Sequence, residues 1–252
     1  MPPRYILTKT HCLGYGLGSC PYDGKEFSLS SFRKGCLSSL ENNFVGYPLA
    51  MVHKAIHIMR HPLDNVVARF HHVSKNINNE DNNNNDNKNS TNNRTVLVGP
   101  NPNRTSFEAW CHEQDQADAN RCTKHPWPLP LERAKNATVV PCYLEFFRYV
   151  QWHNHAFDVL DRYAHRIISP FHFYYEDYEH DFANTTTTIL NVLEFRPNDR
   201  YDTMRANSVQ FIVGKTYRDY YSPEQSKAIW TLLDELASPA TRKALEYYKN
   251  PG

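Results

Sequence analysis

Several large classes of protein are excluded by what this chain has little of. Its formal net charge is only +1, with 28 Lys and Arg against 27 Asp and Glu. It therefore lacks the clustered cationic surplus that phosphate backbones demand, and nucleic acid is excluded as a main partner. Its longest apolar runs fall far short of the ~20 residues that cross a bilayer, and no charged-then-apolar signal segment is legible at the start. Glycine is sparse, at 9 of 252 residues. The one Gly-rich stretch, Gly14 to Gly18, has no Lys-Ser/Thr ending, and Gly24-Lys25 is isolated, so both read as loop composition. The six cysteines show no close Cys-x-x-Cys spacing, which argues against structural zinc despite His11 and His125 nearby.

What is present is globular: 40% hydrophobic and 13% aromatic residues, with 16 Tyr and 13 Phe. A chain of this length can bury one good core. The cysteines fall into two groups, Cys12, Cys20 and Cys36, then Cys111, Cys122 and Cys142. An oxidising lumen would pair them, but spacing leaves the connectivity open: at least one pair crosses groups, or two thiols stay free. Five Asn-x-Ser/Thr sequons begin at Asn89, Asn93, Asn103, Asn136 and Asn184, the first two in an Asn-rich tract where such triplets arise by chance. Together these features point to the secretory pathway. Met1-Pro2-Pro3-Arg4 leads straight into the strand-like Tyr5-Ile6-Leu7, so the chain reads as beginning mid-domain, with an anchor or signal expected upstream.

Residues 5–9, 55–60 and 171–175 read as buried parallel strands, each a short apolar or aromatic run ending in polar residues. After the second, Pro62 suits a first helical turn, and Val66, Val67, Phe70 and Val73 form an apolar stripe. Helices are expected over residues 143–160, with Asn154 interrupting the stripe, and over 187–195. Ser222-Pro223-Glu224-Gln225 is a capping box, and Ser238-Pro239 opens a last helix to about Tyr248. His71 and His72 read as a helix end, while His153 and His155, two apart on a helix, face different ways. Alternating strands and helices give an α/β sheet with helices on both faces. Residues 76–95 interrupt it: eleven of the eighteen residues 76–93 are Asn, too polar to offset ordering entropy, so a disordered surface insertion is expected.

Ligands of open α/β sheets bind beyond the carboxyl ends of the strands. All three expected strands carry distinctive residues there: Lys9-Thr10-His11, Arg60, and Tyr175-Glu176-Asp177. A base, a cation and a phenol converging at one sheet edge suit an anionic nucleotide and a hydroxyl to be deprotonated. The blander reading is that loops after strands are polar anyway.

In order along the chain, Pro3-Arg4-Tyr5-Ile6-Leu7-Thr8-Lys9-Thr10-His11 resembles the sulfotransferase strand that ends in Lys-Thr-His. The segment from Ala55 through Arg60 to Phe70 resembles that family's 3′-phosphate segment, and Phe171-His172-Phe173-Tyr174-Tyr175-Glu176-Asp177 its Tyr-Glu-Asp strand end. Ser106-Phe107-Glu108-Ala109-Trp110 and the run from Gly214 to Tyr221 fall where the family has comparable segments. The resemblance implies one domain over 1–252 with a P-loop-like, three-layer fold, a parallel sheet flanked by helices. It lacks the first strand and the phosphosulfate-binding loop. It further implies sulfonate transfer from 3′-phosphoadenosine-5′-phosphosulfate to an acceptor hydroxyl, of a glycan by default or a protein, in the Golgi lumen, without metal. The only membrane association it implies is through an N-terminal anchor missing from this chain. By the same resemblance His11 is the general base, Lys9 assists at the sulfonate oxygens, and Arg60, Tyr175, Arg69, Lys215 and Arg218 contact the nucleotide. Two departures stand out: no donor loop precedes the first strand, and Ala68 occupies the place of the family's phosphate-binding Ser. Two other readings remain open: an inactive remnant or truncated gene product that never binds donor, and a lectin-like module using its many Tyr and Trp.

Overall fold

The computed structural model describes residues 38–40, 43–45, 52–83, 103–121, 129–137, 139–165, 171–194 and 216–249. The expected strand at 5–9, Lys9, His11, Gly14 to Gly18 and Lys215 lie outside them. Two compact units are present. One comprises residues 1–16, 23–61 and 152–214, the other 17–22, 62–151 and 215–252.

The described part of the first unit contains an antiparallel pair, β1 (Ser38–Leu40) and β2 (Asn43–Val45), and a parallel pair, β3 (Ile56–Met59) and β4 (Phe171–Tyr174). The parallel register sets Ile56 opposite Phe171, His57 opposite His172 and Met59 opposite Tyr174. Backbone bonds extend the ladder at both ends, Phe171 N–H to Ala55 O at 3.0 Å and Tyr175 N–H to Met59 O at 2.7 Å. Both strands were legible as short apolar runs. Burial on both faces of β3 is not what the structure has, however: His57 and Met59 are buried while Ile58 is 49% exposed. The half of helix α4 (Tyr143–Arg162) from Trp152 onward packs in this unit, followed by α5 (Asp177–His180) and α6 (Phe182–Val192). α6 begins five residues before the apolar spacing suggested. Asp181 caps it by accepting the Asn184 N–H at 3.1 Å, a signal that the run of four threonines hides because β-branched residues read as extended. At its other end the Lys54 ammonium donates to the Val192 carbonyl and to Glu194 at 2.7 Å, a cation placed where the helix dipole is negative.

The second unit holds α1 (Pro62–Asn83), α2 (Arg104–Arg121), α3 (Leu129–Ala137), the first half of α4 (Tyr143–Arg162), a 3-10 turn at Thr216–Asp219, α7 (Pro223–Leu236) and α8 (Pro239–Lys249). Leu63, Val66, Val67 and Phe70 of α1 are fully buried. Phe70 meets Phe107 and Trp110 of α2 and Tyr220 edge-on or tilted, at centroid separations of 5.4–6.0 Å, the geometry that the ring quadrupole favours. α1 does not stop at His71 and His72. It runs on to Asn83, so those histidines are mid-helix, and the first residues of the Asn-rich tract are helical; the rest of the tract lies outside the described residues. Cys111 and Cys142 form a disulfide that ties α2 to the start of α4, a pairing within the second cysteine group. Beside it, buried Asp115 accepts the Leu144 N–H at 3.1 Å, capping α4 from a neighbouring helix. Buried Glu145 is held between Arg148 at 2.6 Å and Arg69 at 2.7 Å. The capping box at Ser222 and Gln225 forms as its sequence pattern implies.

Candidate functional site

The carboxyl ends of β3 and β4 lie side by side because their register matches, and the residues that follow each strand meet there. The Arg60 guanidinium carbon sits 5.1 Å from the centroid of the Tyr175 ring, within cation–π range. The three residues after β4 act differently. Tyr175 completes the ladder through its N–H and offers its ring to Arg60. Glu176 reaches to the neighbouring strand end, its Oε1 accepting the His61 N–H at 2.8 Å. Asp177 turns back on its own strand, its Oδ2 accepting the Tyr174 N–H at 3.0 Å. Burial, and then the Arg60 charge, push the His61 imidazole down to about 4, so it is neutral at physiological pH.

Of the residues expected to bind nucleotide, Arg60 and Tyr175 are thus brought together. Arg69 belongs to the second unit, 43% exposed and paired with Glu145. Arg218 is in the 3-10 turn of that unit, exposed. Lys9, His11 and Lys215 are outside the described residues.

Beneath the strand ends is a group that sequence reading did not find. His57, His172 and His153 of α4 form one imidazole cluster. His57 Nε2 and His153 Nδ1 share a hydrogen bond at 2.8 Å, and the His57 and His172 rings are 5.1 Å apart. Trp152 and Phe157 flank His57 at 5.3 and 4.6 Å. Among the described residues neither His57 Nδ1 nor His172 Nε2 has a hydrogen-bond partner. Desolvation, reinforced by the facing imidazoles, pushes His57 down to about 3 and His153 well below its usual value; burial lowers His172 as well, against the opposing pull of Asp177. The signal was present in Ile56-His57-Ile58-Met59 and Phe171-His172-Phe173-Tyr174, where a histidine holds the second place in each strand, but only the pairing register sets the two opposite each other. Among the described residues no group of three or more His, Cys, Asp or Glu is arranged to hold a metal ion, and no helix is long and apolar enough to cross a membrane.

A shallow groove of about 240 Å³ lies on the other side of β4. It is lined by Phe171, Phe173, Asp177, Asp181 and Asn184 among others. No family model matches the chain, and no curated protein or solved structure matches it.

Proposed function

We propose that the ends of β3 and β4 bind the adenosine bisphosphate part of 3′-phosphoadenosine-5′-phosphosulfate, and that the chain belongs to a sulfotransferase acting on a hydroxyl, by preference of a carbohydrate. The observation that carries this reading is the meeting of Arg60 and Tyr175, 115 positions apart in sequence, at neighbouring parallel strand ends. A fixed guanidinium supplies a phosphate with a forked donor, and the phenol ring beside it supplies a face for a base. These are the roles that the resemblance gives the two residues.

In the reaction the acceptor oxygen attacks sulfur in line. A new S–O bond forms as the bond from sulfur to the bridging phosphate oxygen breaks, and adenosine 3′,5′-bisphosphate leaves with that electron pair. His11 takes the acceptor proton, and Lys9 offsets charge on the sulfonate oxygens. Arg60 and Tyr175 hold the nucleotide still, so their contribution is positioning and electrostatics rather than covalent work. Lumenal residence is supported by the Cys111–Cys142 disulfide and by the exposure of Asn103, Asn136 and Asn184 at the heads of their sequons.

Calorimetric titration of the chain with adenosine 3′,5′-bisphosphate tests the reading. Micromolar binding is expected, weakened tenfold or more by Arg60→Ala, the scale of one charge-assisted contact. No saturable binding by the wild-type chain sinks it. Binding without turnover of the phosphosulfate donor leaves a nucleotide-binding remnant instead of an enzyme.

A further inference from the structure

We propose that Glu176 is the positioning residue of this site: its carboxylate ties the end of β3 to the end of β4 and so fixes Arg60 over Tyr175. The inference rests on the nucleotide reading for its consequence, but its geometric part stands without it.

The β3–β4 ladder ends with the bond from Tyr175 N–H to Met59 O. Past that point the two chains diverge, β4 into the turn that starts α5, and β3 into Arg60 and His61. Arg60 is a long side chain with many rotamers, so where its guanidinium can lie depends on where its backbone is held. The bond from His61 N–H to Glu176 Oε1 at 2.8 Å crosses between the strand ends one residue beyond each partner of the stack. At that length it is a well-formed hydrogen bond to a side-chain carbonyl-type oxygen. It pins the backbone on the far side of Arg60, while the Met59 carbonyl pins the near side through Tyr175. Arg60 is thereby held between two fixed points, and both of those points lead to the Tyr175–Glu176 turn. The turn itself is braced from below by Asp177, which accepts the Tyr174 N–H at 3.0 Å. The sequence Tyr175-Glu176-Asp177 therefore divides into a ring that is stacked upon, a carboxylate that reaches across, and a carboxylate that reaches back.

What matters in Glu176 is an acceptor at the right length, not a negative charge beside a phosphate. Three variants of the full chain separate these. Glu176→Gln keeps reach and acceptor without charge; Glu176→Asp keeps charge without reach; Glu176→Ala keeps neither. In titrations with adenosine 3′,5′-bisphosphate, Gln should bind within about threefold of wild type. Asp and Ala should be about ten- to a hundredfold weaker, the scale of a displacement of about 1 Å in a positioning group. A readout independent of the ligand is the ring-current shift of the Arg60 side-chain protons over Tyr175 in NMR spectra. It should persist in wild type and Gln and collapse in Asp and Ala. An undiminished shift in Ala overturns the proposal, whatever the titrations give. So does a Gln variant as impaired as Ala, which would assign the role to charge. Failure of the wild type to bind nucleotide while the shifts follow the expected order would overturn the function proposed above and leave the positioning role standing.

Discussion

Acid should loosen the β3–β4 pair, and His57 sets a scale for it. The residue is 3% exposed, in contact with two further imidazoles, and its pKa is pushed down to about 3 from the usual 6.5. Because the folded value is depressed, the stability that neutral His57 contributes is fully present above pH 6.5 and drains away as pH falls toward 3. At pH 5 the imidazole of an opened chain is protonated and that of the closed chain is not. The gap of one and a half units below 6.5 costs about 2 kcal/mol at 1.36 kcal/mol per unit. His153 is shifted in the same direction and steepens the slope. His172 is less buried and adds less. Amide hydrogen exchange reads the opening where it happens: protection at Phe171 and Tyr175, whose N–H groups close the two ends of the ladder, should fall about thirtyfold between pH 7.5 and 5 beyond the intrinsic pH effect. In His57→Leu the fall should be smaller, whatever that variant's absolute stability, because one titrating group has been removed. Equal falls in wild type and variant would refute the reasoning.

Removing the disulfide by Cys111→Ser with Cys142→Ser should cost about 3–4 kcal/mol, the loop-closure entropy of a separation of 31 residues, measured by urea unfolding with and without reductant. Glu145→Ala should destabilise by about 3 kcal/mol, since it removes the buried carboxylate that the Arg148 and Arg69 guanidiniums share. Arg69→Ala, at 43% exposure, should cost no more than about 1 kcal/mol in the same assay. Asp115→Ala should cost about 1–2 kcal/mol by uncapping α4, which denaturant midpoints will show.

The elements most legible in sequence were those whose signal is local. The run before Arg60, the stripe of α1 and the Ser222 capping box each carry their pattern within one segment, and each forms. α6 starts earlier than its apolar spacing suggests because its cap, Asp181, stands apart from that spacing. α1 ends later than composition suggests, because the buried face up to Ser74 anchors a helix long enough to carry its polar extension to Asn83. The site divides in the same way. Arg60 and Tyr175 could be named from strand ends, since a strand's carboxyl end is marked by its own residues. The imidazole cluster, the reach of Glu176 to His61 and the pairing of Arg69 with Glu145 are facts of register and packing between distant segments, and no single-segment pattern encodes them.

The imidazole cluster and the strand-end pair share one ladder, and that sharing limits what acid can do to nucleotide binding. His57 stands opposite His172 two steps before Met59 meets Tyr174, so opening the ladder removes the support of Arg60 and Tyr175 as well. At the strand ends themselves His61, pushed down to about 4, stays neutral in the closed pair between pH 7.5 and 5. The apparent dissociation constant is the intrinsic one divided by the closed fraction. If opening costs about 4 kcal/mol at neutral pH, the loss of about 2 leaves the ladder more than nine-tenths closed, and affinity for adenosine 3′,5′-bisphosphate stays flat. If opening costs only about 2 kcal/mol, half the molecules are open at pH 5 and the dissociation constant doubles. The exchange experiment therefore fixes the affinity change in advance. An affinity that falls more steeply than the measured opening allows, and falls equally in His57→Leu, would place the acid-sensitive group at the strand ends themselves and detach the cluster from the site.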